Sequence, residues 1–375
     1  MHLSDSCLSE TNTSPTRGEI VRTERDTSII GPDDLILVTG GGGFIGSRLV
    51  QRLLDRGFRN LRCFVRPSSN PARVQALSAL CRDCTRIEVV KGNLLLRDDS
   101  AAAAKDAAII YHLAAGRGEK SFPDAFINSV VTTRNLLEAT LQQKYLKRFV
   151  NISSFTVYTN TKKSRWRLLD ESCPLEGHPE LRGEAYCFAK VKQDEIVAEY
   201  GKRFGIPYVV LRPGFVYGPG NEPITVRVGI STFGHFLHLG GPNTIPLTYV
   251  DNCAEAIALT GLKKGIDGEV FNVVDDDLPS SRQFLRLYKR QVRRFKSVYV
   301  PHVLSYALCY AWERYSAWSQ GQLPSAFNRR RWHANWKKTH YSNEKLKGIG
   351  WIPQVSTAEG LRRYFEACRI GARDA

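Results

Sequence analysis

An apolar run that ends in closely spaced glycines constrains the fold of this chain more than any other feature. Residues 35–38 have the composition of a buried parallel strand, and Gly40, Gly43 and Gly46 lead from it into an apolar pattern with helical spacing. Glycine lets the backbone turn sharply and approach a pyrophosphate, which the unpaired N–H groups of a helix N-terminus then bind. The segment predicts a dinucleotide-binding turn between a strand and a helix. Taken alone, it also fits an ordinary strand-to-helix turn.

A tyrosine and a lysine further along the chain predict proton-transfer chemistry. Tyr186 and Lys190 are four residues apart, so they share one face of a helix. The lysine charge favours the phenolate, which makes the tyrosine a better proton donor and acceptor. Upstream, residues 148–152 are typical of a strand that ends at Ser153 and Ser154, in the crevice outside the carboxyl ends of parallel strands. A Tyr-x-x-x-Lys pair is common on solvated helix faces, and the order of the three motifs favours a catalytic role.

These motifs and their order resemble the extended short-chain dehydrogenase/reductase superfamily, also called the NAD-dependent epimerase/dehydratase family. The resemblance is close from about residue 34 to about residue 275 and looser up to about residue 367. It rests further on residues 92–94, 111–115, 153–158, 211–220 and 249–252. The implied fold class is α/β, a doubly wound parallel sheet (Rossmann) with a smaller, mostly helical C-terminal substrate domain. Alternating strand and helix patterns in the first two thirds of the chain predict the same sheet, with further strands at residues 87–90, 108–113, 208–211 and 270–274 and a long helix around residues 128–141.

The resemblance implies a role for each residue of the predicted site. Tyr186 is the general acid/base, and Lys190 tunes it while it holds the nicotinamide ribose. Ser154 hydrogen-bonds the substrate oxygen, and Asn128 completes a proton relay. Besides Tyr186 and Lys190, the residues expected to contact the cofactor are Gly40, Gly43, Phe44, Ile45, Gly46, Asn93, Leu94, Leu113, Ala114, Ala115 and Pro213.

Two positions depart from the family pattern. Asn93 stands where an aspartate near the adenine is usual, and Asn252 follows Asp251 where a second aspartate is common. The Asn93 amide still donates and accepts hydrogen bonds, so we expect a change in cofactor affinity rather than loss of binding.

The second predicted strand, residues 61–66, bears on the choice between NAD and NADP. NAD sites place an acidic residue about 20 positions after the glycine turn, whereas an arginine suits a 2′-phosphate. Arg66 is the twentieth residue after Gly46, and no Asp or Glu lies between Asp55 and Arg66. We therefore predict NADP. NAD stays open, because Arg66 also fits a solvated loop charge and residues 67–69 could bind the ribose.

Length and composition set the expected domains. The 375 residues, 42% of them hydrophobic, suffice for one large or two modest domains. Residues 1–32 are polar and predict a disordered tail without a signal peptide. Residues 33–275 are expected to form the dinucleotide-binding domain, with 215–247 contributing to the substrate site, and residues 276–370 the substrate-binding cap.

Cysteines and histidines predict no metal site. Nine cysteines, an odd number, fit reduced thiols in the cytoplasm. Cys81 and Cys84 form a solitary pair without a second pair at zinc spacing. His235 and His238 have no acidic or cysteine partner nearby in the sequence.

Positive charge is concentrated in the last quarter of the chain. Residues 281–375 contain 19 Lys and Arg against 5 Asp and Glu, which accounts for +14 of the net charge of +16. Such a cap can attract anionic substrates or hold a protein against an anionic membrane. Its apolar stretch, residues 298–318, has too short a clean apolar part to span a membrane. We expect a helix packed inward rather than one that lies on lipid. Nucleic-acid binding is not expected, because no recognition module is evident.

Three functions remain open at this stage. Nucleotide-sugar enzymes of the family commonly carry an arginine just before the Val-Asp segment, and residues 244–249 contain none. Together with the aromatic residues of 306–318, this favours the branch similar to 3β-hydroxysteroid dehydrogenases and dihydroflavonol reductases. The predicted reaction is NAD(P)-dependent hydride transfer to or from a secondary alcohol or ketone on a hydrophobic skeleton. We expect a cytoplasmic homodimer, with peripheral membrane contact left open.

The first alternative is a nucleotide-sugar epimerase or dehydratase with tightly bound NAD(P), in which Arg227 or an arginine of the cap binds the diphosphate. The second is a non-catalytic NADP-binding regulatory protein. Intact Ser154, Tyr186 and Lys190 argue against the second alternative.

Overall fold

The fold is described from a computed structural model. It describes residues 28–70, 72–80, 85–115, 121–161, 168–221, 224–232, 234–320, 322–323 and 327–371. Residues 1–27 of the expected tail, and both members of the Cys81 and Cys84 pair, lie outside this part of the chain.

Seven parallel strands form the central sheet: β1 (Ile36–Thr39), β2 (Asn60–Val65), β3 (Arg86–Lys91), β4 (Ile109–His112), β5 (Arg148–Ile152), β7 (Tyr208–Pro213) and β12 (Val270–Val273). All seven fall where the sequence predicts strands. Their spatial order is β12-β7-β5-β4-β1-β2-β3. The order outward from β1 is that of a doubly wound dinucleotide-binding sheet, so the expected α/β fold is confirmed.

Each face of the sheet has its own hydrophobic core, because side chains alternate along a strand. Ile36 and Val38 of β1 pack into one core, and Leu37 packs into the other. Residues of β1, β4 and β5 are buried throughout, which explains their nearly continuous apolar sequence.

Helices cover both faces of the sheet and build most of the C-terminal part. The helix after the glycines (Phe44–Asp55) packs against Val250–Leu262 on one face. The tyrosine helix (Ala185–Phe204) packs on Thr132–Thr140. A π-helical turn, Phe126–Val131, interrupts the long helix expected from residue 128 to 141. The other helices are Ala72–Leu80, Arg97–Ala104, Phe122–Ala125, Ser281–Gln291, His302–Trp318, Arg329–Asn335, Glu344–Gly348 and Thr357–Gly371.

Small sheets connect the C-terminal part to the loops of the first domain. Strand β8 (Phe215–Tyr217) pairs with β11 (Leu247–Tyr249), and β10 (His235–His238) lies between β9 (Gly229–Thr232) and β13 (Ser297–Tyr299). Strand β6 (Leu168–Leu169) pairs with β14 (His340–Tyr341). The chain after residue 276 is mostly helical, and its role as a substrate-binding cap stays a prediction. This part of the chain returns to the central sheet near its end, since Leu346 and Trp351 are buried in a core of that sheet.

The expected end of the tail at residue 32 is too late. The Ile29 N–H donates to Leu262 O (2.9 Å), and the Ile30 side chain is buried in the sheet core. Residues 28–32 therefore belong to the packed domain, because two isoleucines give this short segment enough apolar surface to dock.

The expectation that the apolar stretch of the cap packs inward is wrong. In the outer helix (His302–Trp318), the buried side chains are the small residues Ser305, Cys309 and Ser316. Val303 is 84% exposed and Trp318 is 76% exposed. Bulky Trp332 and Trp336 occupy the space beneath the helix, so its fully buried positions hold small side chains, while Tyr306 packs partly buried against Trp332. Within the described residues, no helix is long and apolar enough to cross a membrane.

A buried arginine joins the start of β5 to the end of the Val250–Leu262 helix. Arg148 has no exposed surface; its Nε donates to Asp267 (2.8 Å), and its Nη1 donates to Thr260 O (3.0 Å) and Lys263 O. Carbonyl oxygens at a helix C-terminus lack intrahelical donors, so this guanidinium satisfies groups that otherwise stay unpaired.

We expect Arg148→Met to lower the free energy of unfolding by about 2–4 kcal/mol, because it leaves buried carbonyl oxygens without donors. Urea denaturation measures the change. Arg362→Met is the matched control, since Arg362 forms an exposed ion pair with Glu359, and such pairs contribute about 1 kcal/mol or less. Equal losses in the two variants would contradict the assignment.

Candidate active site

The glycine turn has the close backbone packing that a dinucleotide turn needs. Gly40 follows β1 with a φ of +71°, and the Gly43 N–H donates to Gly40 O (2.9 Å). A Cβ on Gly46 would lie 2.2 Å from Gly40 O, so no other residue fits there without movement of the backbone. The third glycine thus lets the helix begin directly against the turn.

The N-terminus of the following helix can accept an anionic group. Gly43 is its N-cap residue and provides no side-chain hydrogen bond, and the first turn has no acidic residue. The first N–H groups of an α-helix lack intrahelical acceptors, and Phe44 and Ile45 occupy these positions. The residues present therefore fit a dinucleotide pyrophosphate.

The other residues expected to contact the cofactor follow the carboxyl ends of neighbouring strands. Arg66 follows β2, and its Nη2 donates to Ala115 O (3.3 Å), which comes after β4. Asn93 follows β3, and its Oδ1 accepts from the Leu95 N–H (3.1 Å). The remaining members of this group are Leu94 after β3, Leu113 and Ala114 after β4, and Pro213 at the end of β7. Ligands of doubly wound sheets bind along this edge.

Tyr186 lies in the first turn of the tyrosine helix, above a buried lysine. Its side chain is 41% exposed, whereas Lys190 is buried one turn further on. Lys190 Nζ lies 6.0 Å from the centroid of the tyrosine ring and donates to Ile152 O (2.6 Å) at the end of β5. The structure thus places an ammonium group between the tyrosine and the sheet edge.

Ser154 begins the turn that follows β5. It is the N-cap residue of a 3₁₀ helix (Phe155–Val157), and its Oγ accepts from the Thr156 N–H (3.2 Å). Ser154 is partly exposed, whereas Ser153 is buried. Cys187, the residue after Tyr186, donates from Sγ to Thr156 O (3.2 Å). The serine turn and the start of the tyrosine helix are therefore in direct contact.

Asn128 lies in the π-helical turn, a feature that is frequent at functional sites. Its Nδ2 donates to Asp124 O (2.9 Å), and its backbone carbonyl accepts from Thr132 Oγ1 (2.9 Å). The turn packs against the tyrosine helix. Its role in a proton relay stays a prediction.

Buried hydrogen bonds connect Lys190 to the strand that precedes the glycine turn. Lys190 Nζ donates to Gln193 Oε1 (2.8 Å), and Gln193 Nε2 donates to Thr133 Oγ1 (2.8 Å). His112 Nε2 lies 2.9 Å from Thr133 Oγ1, and His112 Nδ1 lies 2.9 Å from Thr39 Oγ1. We call these residues the lysine network. It joins β1, β4 and two helices.

The hydroxyl of Thr133 fixes the direction of these bonds. It has one hydrogen, which it donates to Ser129 O (2.6 Å), so it accepts from Gln193 and from His112. The His112 proton therefore lies on Nε2, and Nδ1 accepts from the hydroxyl of Thr39. Every atom of the lysine network then has a consistent donor or acceptor role.

A second proton on His112 is unfavourable in this arrangement. Thr39 Oγ1 already accepts from the Ala114 N–H (3.2 Å), so a protonated Nδ1 would leave the threonine hydrogen unused. Burial, and then the charge of Lys190, lower the pKa of His112 to about 3. The imidazole is neutral at ordinary pH.

The roles of Gln193, His112 and Thr133 in the lysine network were not predicted from the sequence. Gln193 is three residues after Lys190, hence on the same helical face, and that spacing was the available signal. His112 is a polar residue on an otherwise apolar strand that is buried throughout. Thr133 carried no signal, because its partners come from distant parts of the chain.

The C-terminal part covers the serine turn. The Tyr341 ring stacks on Phe155, with centroids 5.4 Å apart and an angle of 13° between the rings. Lys337 Nζ donates to Asn160 O (2.6 Å) a few residues further on. The C-terminal part therefore packs directly on the turn that Ser154 begins.

Residues 244–249, the segment without an arginine, are packed into a hydrophobic core. Ile245 and Leu247 have no exposed surface and belong to a core with Phe284 and Tyr364. Arg227 lies in the preceding loop, and its Nη1 donates to Ala334 O (2.8 Å).

Comparison with known proteins agrees with this geometry. The model of the NAD dependent epimerase/dehydratase family matches residues 36–273. The chain therefore belongs to that family. Its members include NAD-dependent epimerases, dehydratases and reductases, so the expected enzyme class is confirmed.

Individual relatives differ in what they are named for. An uncharacterized UDP-glucose epimerase of Bacillus subtilis is 29% identical over 258 residues, covering 64% of this chain and 76% of the relative. The 3 beta-hydroxysteroid dehydrogenase/Delta 5→4-isomerase of Mycobacterium tuberculosis is 30% identical over 261 residues, 66% of each chain. A trifunctional UDP-glucose 4,6-dehydratase, epimerase and reductase of Arabidopsis thaliana is 27% identical over 345 residues. The match covers 88% of this chain but only 46% of the Arabidopsis protein.

Among solved structures, the UDP-glucuronic acid 4-epimerase of Bacillus cereus in complex with NAD has the same fold. It superposes with a TM-score of 0.66 at 24% identity, over 90% of this chain and 99% of the epimerase.

The low pKa of His112 predicts loss of stability in acid. The folded protein resists a proton that the unfolded chain takes up near pH 6.5, so this contribution is complete above pH 6.5 and is lost as the pH falls toward 3. The slope approaches about 1.4 kcal/mol per pH unit. Urea denaturation across this window should give a shallower slope for His112→Gln. The control is His178→Gln, which replaces an exposed histidine and should keep the parental dependence of the unfolding free energy on pH. The same parental dependence in His112→Gln would refute the prediction.

Proposed function

We propose that the chain catalyses hydride transfer between a nicotinamide dinucleotide and a carbon that carries a secondary alcohol or a ketone, with Tyr186 as general acid/base. One observation carries the proposal. Lys190 is buried beneath the partly exposed Tyr186 and bonded to the end of β5, where Ser154 begins the next turn.

Each side chain has a separate task in this proposal. The bound nicotinamide supplies or accepts the hydride. The Tyr186 hydroxyl exchanges a proton with the substrate oxygen, and Ser154 donates a hydrogen bond to that same oxygen. Lys190 favours the phenolate through its charge and binds the ribose. Asn128 connects this group to solvent as a proton relay.

The favoured substrate has a hydrophobic skeleton. Residues 244–249 support this choice, because they contain no arginine where nucleotide-sugar enzymes of the family commonly carry one. The aromatic residues of the outer helix do not add to this support, since Tyr315 and Trp318 are exposed and Tyr306 packs against Trp332.

A nucleotide-sugar epimerase or dehydratase is the second candidate. It is favoured by the similarity to proteins named for UDP-sugars, including the epimerase that binds UDP-glucuronic acid and NAD. Arg227, near the C-terminal part, would then bind the diphosphate. Expected homodimer formation and a cytoplasmic location also stay proposals.

NADP is the proposed dinucleotide. Arg66 supports this proposal, since it directly follows β2 and its side chain is exposed. Residues 61–66 contain no Asp or Glu that could bind the ribose hydroxyls of NAD. The family as a whole is described as NAD dependent, so the preference is a property of this chain's second strand.

The function is tested by incubating the protein with each dinucleotide and a panel of ketones, secondary alcohols and UDP-, GDP- and dTDP-sugars. We expect net nicotinamide turnover with a non-sugar ketone. Tyr186→Phe should abolish turnover but leave cofactor binding intact, because only the proton-transferring hydroxyl is lost. Ser154→Ala should lower kcat by about 100-fold, and Lys190→Ala should damage both binding and turnover. Near-parental kcat in Tyr186→Phe would exclude the catalytic assignment, and sugar isomerisation without net turnover would select the second candidate.

Replacement of Arg66 tests the dinucleotide preference. The parent should bind NADPH more tightly than NADH, and Arg66→Asp should reverse this order, with NADPH affinity at least about tenfold lower because a charge-assisted bond is lost. Fluorescence titration measures both affinities. The control is Arg97→Asp, because Arg97 is an exposed arginine at the start of the Arg97–Ala104 helix. This variant should leave the order of the two affinities unchanged. Equal affinities in the parent that Arg66→Asp does not alter would remove Arg66 from the site.

A further inference from the structure

The outer helix presents its large apolar side chains to solvent. Val303, Leu304, Leu308, Tyr315 and Trp318 are all exposed. Their spacing along the helix places them on one side, opposite the buried Ser305, Cys309 and Ser316. We call the exposed side of the helix the outer face. A contiguous apolar face of this kind on a protein surface indicates a site of interaction.

The inner side of the helix is already fully used. Trp332 Nε1 donates to Ser305 Oγ (2.9 Å), Ser316 Oγ donates to Leu323 O (2.7 Å), and Cys309 packs with Trp332 and Trp336. The helix is therefore anchored by its small residues. A rotation that buries the outer face would place leucines and a tryptophan where serines now fit.

The apolar surface continues beyond the start of the helix. Val298 and Tyr299 of β13 are also exposed, and Arg282 stacks on the Tyr299 ring with its Cζ 5.3 Å from the centroid. Aromatic and aliphatic side chains beside arginines are typical of surfaces that lie in a membrane interface.

The charge around the outer face is predominantly positive. Residues 278–343 contain 13 Lys and Arg and a single acidic residue, Glu313. Three of the 13 form ion pairs, Arg329 with Glu313, Arg330 with Glu176 and Arg331 with Glu184, and positive charge stays in excess. Among the exposed residues of the helix, the only charged one is Arg314. Exposed basic residues just before β13 include Arg293, Arg294 and Lys296.

We propose that the outer face docks on the surface of an anionic lipid bilayer, with the helix parallel to the membrane plane. Apolar side chains enter the interface between headgroups and acyl chains, and the surrounding arginines and lysines bind the anionic headgroups. This needs no spanning segment. It explains why large apolar residues face outward on a helix whose neighbourhood is basic.

Charge selects the bilayer over a second copy of the chain. Two outer faces packed against each other would bring together two regions that each carry an excess of exposed basic residues, Arg293, Arg294, Lys296 and Arg314 among them. Like charges across an interface oppose association. An anionic bilayer supplies the complementary charge and an apolar interior together.

Vesicle sedimentation of the full chain tests the proposal. The protein should pellet with vesicles of phosphatidylcholine and phosphatidylglycerol in equal parts, but not with phosphatidylcholine alone. High salt should weaken binding, because it screens the headgroup charge. Val303→Glu should lower the partition constant at least about tenfold, since it places a carboxylate in the apolar interface. The control is Ile352→Glu, 68% exposed on a loop remote in sequence, which should bind as the parent does.

A second variant pair separates docking from misfolding. Arg293→Glu with Arg294→Glu alters only exposed charges and should weaken binding to anionic vesicles. Circular dichroism and cofactor binding should stay parental in all variants. Parental vesicle binding in Val303→Glu, absence of binding to anionic vesicles, or dimerisation in solution that Val303→Glu abolishes would each overturn the proposal.

Discussion

Much of this structure is arranged around one buried ammonium group, that of Lys190. Removing the Lys190 charge from water is very costly unless acceptors surround it. Ile152 O at the end of β5 and Gln193 Oε1 are two such acceptors. The glutamine is held in turn by Thr133, and through His112 the bonds reach Thr39 at the end of β1. The lysine therefore positions the tyrosine helix against the sheet edge where the glycine turn begins.

The strands of the sheet could be read from sequence because their environment leaves a simple pattern. A strand that is buried on both faces is apolar at successive positions. The glycines after β1, Ser154 after β5 and the Tyr186–Lys190 pair indicate which edge of the sheet holds the carboxyl ends of the strands. The lysine network could not be read in this way. Apart from the Lys190–Gln193 bond, its bonds join side chains that are 21 to 73 residues apart in the sequence, and polar pairing over such distances has no periodic signal.

The outer helix shows a different limit of sequence analysis. An apolar helix pattern predicts that one face avoids water, but it does not say which partner covers that face. Trp332 and Trp336 occupy the interior, so the fully buried positions of the helix hold small side chains and Tyr306 packs partly buried against Trp332. The same cluster includes Leu239 of the loop that leads to the apolar segment at Ile245. The outer helix and this loop therefore share one hydrophobic core.

The π-helical turn between residues 126 and 131 sets the rotational phase of its helix. One residue more than an α-helical turn is accommodated there, and each residue rotates an α-helix by about 100°. Asn128 precedes the end of this turn, and Thr133 follows it. If this turn became a regular α-helix, either Asn128 or Thr133 would rotate about the helix axis and no longer face its present neighbours. The extra residue thus sets the angle between Asn128 and the network residue Thr133 around the axis of their helix.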